Sequence, residues 1–169
     1  VYALHQLGFE KIHPVPPMAP ISSELFTLYP TRSEVTSVRE FGMVFADRSG
    51  VFWNQVDSFL SAETIAAVAD RFGRVSLLFA MYASQTFDFL EDRSTRFPFE
   101  IHGQNLETVR RIRPGVVVPG SAGFRFCDEA APLNPFLFPI SRERFLADLQ
   151  RLDDGIGTEI ANPGDVFVI

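Results

Sequence analysis

The sequence is poor in the residues that usually announce a function. Its 169 residues include one cysteine, Cys127, which excludes an internal disulfide and a cysteine pair for zinc. That usage is compatible with the reducing cytoplasm, where the protein is expected to reside. Lysine is nearly absent: of 15 basic residues only Lys11 is a lysine, no basic run exists, and the net charge is −6. Such a balance argues against a nucleic-acid partner. No apolar stretch approaches the roughly 20 residues that cross a bilayer, and the first residues do not read as a signal peptide, so no membrane partner is expected. There is no Gly-x-x-x-x-Gly-Lys phosphate loop and no Gly-x-Ser-x-Gly elbow. The histidines, His5, His13 and His102, are far apart in sequence.

What is abundant is phenylalanine, 18 residues in a chain whose hydrophobic fraction of 46% is otherwise ordinary. That many rings imply a large packed core, and a cluster of them would also line an apolar pocket. The length suits a single domain over residues 1–169. The chain opens at Val1, without Met, in what reads as the end of a helix (Leu4, Leu7, Gly8). It is therefore read as the C-terminal part of a longer protein.

Along the chain, Phe9–Val15 and Ile21–Tyr29 read as strands, and Thr31–Val35 as a polar loop. Val38–Ala46 and Val51–Asn54 read as a hairpin about an Asp47–Gly50 turn. Ser61 caps a helix with an apolar stripe at Ile65, Val68, Ala69 and Phe72, stopped by Gly73. Val75–Ala80 is a continuous apolar run, the mark of a central strand. A helix over His102–Ile112 leads to a second central strand at Val116–Pro119. Phe124–Phe138 is irregular, Ser141 caps a last helix, and Val166–Ile169 reads as a terminal strand. This order predicts an α/β layered sandwich with helices on both faces of the sheet.

Polar loops follow the strand ends at Asp57, at Ser84-Gln85 and at Gly120-Ser121. In open α/β sheets ligands bind along that edge. Asp57 by itself reads first as a turn residue, but a loop carboxylate on a rigid strand end also suits a metal or substrate. His102, at the start of its helix, is the best placed histidine, with capping as its ordinary role. Cys127 reads as a small buried residue. Arg125, between Phe124 and Phe126, reads equally as a structural ion pair or as a binder of carboxylate or phosphate.

The hairpin into Asn54-Gln-Val-Asp57, the following helix, the Leu77–Ala80 strand and Ile112-Arg-Pro-Gly-Val-Val-Val-Pro119 with Gly120-Ser-Ala-Gly-Phe124 resemble the C-terminal half of a metallo-β-lactamase-fold protein. Within that superfamily the branch with CMP-N-acetylneuraminate hydroxylase-like proteins is the one resembled. The resemblance spans most of residues 1–125. It implies half or most of an αββα sandwich with a mixed sheet and a site for one or two metal ions, zinc or iron. The His-x-His-x-Asp-His motif of the N-terminal half is not in this sequence. Asp57 is the single ligand carried over. Where many members supply a late His, this chain has Gly120-Ser121. The ions would thus be held mostly by residues outside this chain, from the missing N-terminal half or a partner chain.

The implied function is a metal-dependent hydrolase acting on a small molecule through a metal-bound hydroxide. A dinuclear iron oxygenase on the same fold and a non-catalytic binding module with a degenerate site are the alternatives. Asn54, Gln85, His102, Ser121 and Arg125 are the accompanying candidates for contacts with substrate or with the ligand.

Overall fold

A computed structural model describes residues 2–34, 40–55, 57–86, 88–93, 95–121 and 125–169. The beginning of the strand expected from Val38, and the Ala122–Phe124 part of the small-residue loop, lie outside the described residues. A short helix α1 (Tyr2–Gln6) precedes strands β1 (Ile21–Ser22), β2 (Thr27–Arg32), β3 (Phe41–Ala46) and β4 (Val51–Asn54). Then follow α2 (Ala62–Phe72), β5 (Leu77–Met81), α3 (Asp88–Asp92), α4 (Phe99–Ile112) and β6 (Val116–Ser121). A 3-10 turn (Asp128–Leu133), α5 (Asn134–Leu137), α6 (Arg142–Leu152) and β7 (Gly157–Thr158) complete the chain.

The strands form one seven-stranded sheet whose spatial order is the chain order. Pairing is antiparallel from β1 to β4 and parallel from β4 to β7, so the sheet is mixed. Local chemistry fixes the joints. In the β3–β4 turn, Asp47 Oδ1 accepts from the backbone N–H of Ser49 at 2.7 Å and of Gly50 at 3.2 Å. Ser61 Oγ accepts from Thr64 N–H at 3.1 Å to start α2, and Gly73, at φ +71°, ends it. Ser141 Oγ caps α6 in the same way through Arg144 N–H at 3.2 Å.

Strand alternation sorts the apolar residues onto two faces. Val44, Trp53, Leu78 and Val117 lie side by side in register on one face. There they join Ile65 and Val68 of α2, Leu106 and Val109 of α4, and Phe145, Leu146 and Leu149 of α6 in a single core. Each such side chain, fully buried, contributes about 1.5–3 kcal/mol. Trp53 is wholly buried and its indole N–H reaches Thr31 Oγ1 at 3.3 Å. The three long helices therefore share one face, where helices on both faces were expected.

The opposite face carries a ladder of rings. Phe26, Phe45, Phe52, Phe79 and Phe167 follow one another at centroid separations of 5.4, 5.4, 5.0 and 6.0 Å. Its last rung comes from the C-terminal segment. The strand expected at Val166–Ile169 does not form, because the Asn162–Asp165 turn, closed by Asn162 N–H to Asp165 Oδ2 at 2.7 Å, brings the chain back onto this face. The edge strand is instead the two-residue β7. Two further expectations change. Residues 9–15 form no strand, since Pro14 and the following Pro16-Pro17 remove donors a ladder needs. Ile21–Tyr29 is broken into β1 and β2 by a turn in which Phe26 N–H donates to Ser23 Oγ at 3.1 Å. No described helix is long and apolar enough to cross a membrane.

Candidate functional site at the carboxyl edge of the sheet

The three central parallel strands β4, β5 and β6 end at the same edge of the sheet. Asp57 follows β4 and Ser121 ends β6, where it pairs with Met81 of the intervening β5. The Ser121 hydroxyl donates to Asp57 Oδ1. The loops on either side of β5 therefore close over its end. Asp57 itself is exposed, so the carboxylate is held yet reachable.

A buried amide holds the Asp57 turn. Gln55 is 2% exposed. Its Nε2 donates to the carbonyl of Ser58 at 2.8 Å, and its Oε1 accepts the N–H of Met81 at 3.1 Å. Its own N–H bonds the carbonyl of Phe79 at 3.0 Å, extending the β4–β5 ladder by one residue. Ser58 N–H closes the turn onto the Gln55 carbonyl at 3.1 Å, and Ser58 Oγ is buried without a partner. A cleft of about 410 Å³ opens on the helix side of this turn, lined among others by Gln55, Phe59, Asn105 and Arg111. Asn105 is 3% exposed and its Nδ2 has no hydrogen-bond acceptor.

The other candidates fall in different places. Asn54 ends β4 opposite Met43 and beside Phe79, on the ring-bearing face. Gln85 is half-buried in the loop after β5, and no described hydrogen bond joins it to Asp57 or Ser121. His102 lies one turn inside α4, in the helix layer. Its Nε2 is 3.1 Å from Asp148 Oδ2 of α6, its ring packs edge-on to Phe97 and Phe145, and its Nδ1 is buried without a partner. Asp148 also accepts from Arg144 Nε at 2.6 Å and Arg151 Nη1 at 3.1 Å. Arg125 is exposed and lines a second cleft with Tyr82, Gly120 and Arg142, beside Ser121. Cys127, expected to be buried, is exposed because its 3-10 turn lies at the surface.

Gln55, Tyr82 and Arg142 were not singled out from sequence. Nothing in a lone Gln or Tyr marks it; only the pairing of β4 with β5 brings Gln55 to Met81.

A metal ion fits this edge incompletely. Asp57 offers a carboxylate and Ser121 only a neutral hydroxyl, and the described residues hold no group of three His, Cys, Asp or Glu able to bind one. Tight binding of zinc or iron needs three or more such donors, so the described residues are at most a fraction of a metal site.

No protein-family model and no curated protein matches the sequence. Solved structures do match the fold. The metallo-beta-lactamase fold protein YhfI from Bacillus subtilis superposes with a TM-score of 0.61 at 13% identity, over 99% of this chain and 61% of its own. A point mutant of the CmlA beta-hydroxylase superposes with a TM-score of 0.58 at 14% identity, over 94% of this chain and 34% of its own. The chain thus has a metallo-β-lactamase-type fold, as a partial sandwich, and spans 61% and 34% of the lengths of the two neighbours, less than two thirds of either.

Proposed function

We propose that this chain is one sheet-and-helix layer of a metal-dependent hydrolase of the metallo-β-lactamase fold, and that Asp57 is its contribution to the reaction centre. The remaining ligands come from polypeptide outside this chain, either preceding it in the same protein or in a partner. The observation that carries the reading is the meeting of Asp57 and Ser121 across the end of β5. It unites the two positions where the fold resemblance expects ligands, and it does so at the edge where α/β sheets bind ligands.

The roles of this chain's own residues follow from their contacts. Gln55 fixes the turn, so Asp57 is presented with little conformational freedom to lose on binding. Ser121 occupies one carboxylate oxygen and leaves the rest of the group open to solvent. The neighbouring cleft between Gln55, Phe59 and α4 is of a size for a small-molecule substrate, although neither Asp57 nor Ser121 lines it.

Two other readings have specific support. Similarity in fold to a β-hydroxylase favours an oxygenase, for which the family resemblance implies iron. Replacement of an expected histidine by Ser121, whose hydroxyl takes up one oxygen of the Asp57 carboxylate, favours a non-catalytic module. Metal analysis of the full-length protein separates them. Stoichiometric zinc, lost in Asp57→Asn, supports the hydrolase, and stoichiometric iron the oxygenase. Absence of metal from the full-length protein leaves the non-catalytic module.

A further inference from the structure

Beside Ser121, the ends of β5 and β6 and the start of α6 enclose a cleft of about 470 Å³. Among the described residues its charged lining is Arg125 and Arg142, with no carboxylate, in a chain with 21 acidic residues. Among the described residues neither guanidinium has a carboxylate within ion-pairing distance. Arg142 uses Nη1 on the carbonyl of Ala161 at 2.6 Å and Nη2 on Asn162 Oδ1 at 3.5 Å. Both acceptors are neutral, and a guanidinium has five N–H donors, so donors remain; the Glu143 carboxylate feels the charges of Arg142 and Arg125 but makes no ion pair with either among the described residues. The Arg125 side chain makes no described hydrogen bond and is exposed.

Tyr82 supplies a third polar group. Its residue is 6% exposed, its ring packs against Phe145 in the core, and it lines the cleft, with no hydrogen bond from its hydroxyl among the described residues. Burial raises the pKa of that hydroxyl, the charges of Arg142 and then Arg125 lower it, and Glu143 opposes them. Both guanidiniums therefore act electrostatically at the phenol. A hydroxyl at the wall of a cleft can donate to an acceptor bound there.

The floor is apolar. Phe79 and Val118 sit side by side in register, and Gly120 passes so close over Phe79 that a Cβ there would lie 2.8 Å from Phe79 Cβ. The backbone thus keeps the cleft open above the ring.

We infer that this cleft binds the carboxylate or phosphate head of a small organic molecule between Arg125, Arg142 and the Tyr82 hydroxyl, with an apolar body resting on Phe79. Two guanidiniums and a phenol form a convergent donor set for an oxyanion, and the apolar floor excludes a bare inorganic ion as the preferred ligand. The inference stands on the cleft alone, and binding is read without turnover, so it stands or falls separately from the Asp57 reading.

Isothermal titration of the full-length protein with phenyl phosphate, benzoate and benzyl alcohol tests it. At least one anion is expected to bind one-to-one, the two anions distinguishing phosphate from carboxylate, while the neutral alcohol does not saturate. Arg125→Ala should weaken the bound anion by about tenfold or more, and Tyr82→Phe by about threefold. Arg125 takes no part in the packing and Tyr82→Phe keeps the ring, so both variants should retain the wild-type circular dichroism. Failure of both anions to saturate the wild type overturns the inference. So does equal affinity for the alcohol, or an Arg125→Ala affinity within about twofold of wild type.

Discussion

Ser121 and Asp57, 64 residues apart in sequence, are joined by a hydrogen bond from hydroxyl to carboxylate. Between them lies β5, whose last residue, Met81, pairs with Ser121 and also donates its N–H to Gln55. Three consecutive parallel strand ends are thereby tied into one small polar surface. A carboxylate whose neighbour is a hydroxyl can be turned into a two-ligand pair by a single change.

Ser121→His supplies that change. An imidazole at the end of β6 would stand beside the Asp57 carboxylate, and carboxylate with imidazole is a common donor pair for zinc and iron. In the full-length protein the expected result is metal affinity raised by about tenfold, with the gain lost in the Ser121→His/Asp57→Asn double variant. Competition against a chromophoric chelator measures it. Unchanged affinity would remove position 121 from the site.

Gln55→Leu tests what holds Asp57 in place. The substitution strands the Ser58 carbonyl and the Met81 N–H, which the Gln55 side chain now satisfies at 2.8 and 3.1 Å. Each unpaired buried group costs about 1–3 kcal/mol. For a chain of this length the combined loss corresponds to a fall in melting temperature of roughly 5–15 °C. Differential scanning calorimetry reads it. A melting temperature within about 2 °C of wild type would mean that the turn is fixed by something other than this amide.

Local signals in the sequence were read well where they are chemical. Asp47 and Gly50, Ser61 and Gly73, and Ser141 mark a turn and three helix ends, and each does so through a hydrogen bond or a backbone angle confined to a few residues. The Asp57 position was legible for the same reason, as a strand followed by a polar turn. Longer-range features were not. β7 is two residues long and has no pattern to find. Val166–Ile169 has a strand's composition, but its chain packs Phe167 on Phe79 after a turn. The meeting of Asp57 with Ser121, and of Arg125, Arg142 and Tyr82 around one cleft, depends on which elements adjoin, which no local pattern states.

His102 and Asp148 link α4 to α6 and should make stability depend on acid. Burial raises the Asp148 pKa, but hydrogen bonds from Arg144 and His102 and their charges outweigh it, leaving the carboxyl below its ordinary value. A folded value below the unfolded one means that protons favour the unfolded chain. The contribution is present above about pH 4, the unfolded range, and is lost as pH falls through the lowered folded value. Asp148→Asn should therefore be less stable than wild type at pH 7, with a smaller loss of stability as pH falls below about 4. Urea unfolding across that range measures both. Parallel pH profiles would show that the cluster contributes nothing through ionisation.

The ring ladder opposite the helices gives the last prediction. Phe52 is its centre, stacked on Phe45 at 5.4 Å and edge-on to Phe79 at 5.0 Å, and these rings are only half-buried by the rest of the chain. A contiguous aromatic face on a sheet is covered in stable proteins by a second layer, as in sandwiches. By itself the 169-residue chain is therefore expected to self-associate through this face. Phe52→Glu sets a charge in the middle of the ladder and should shift the chain toward monomer, while Phe52→Leu, which keeps the face apolar, should not. Sedimentation velocity over a range of concentrations distinguishes them. A wild-type chain that stays monomeric throughout would show that the C-terminal segment, through Phe167, covers enough of the face to satisfy it.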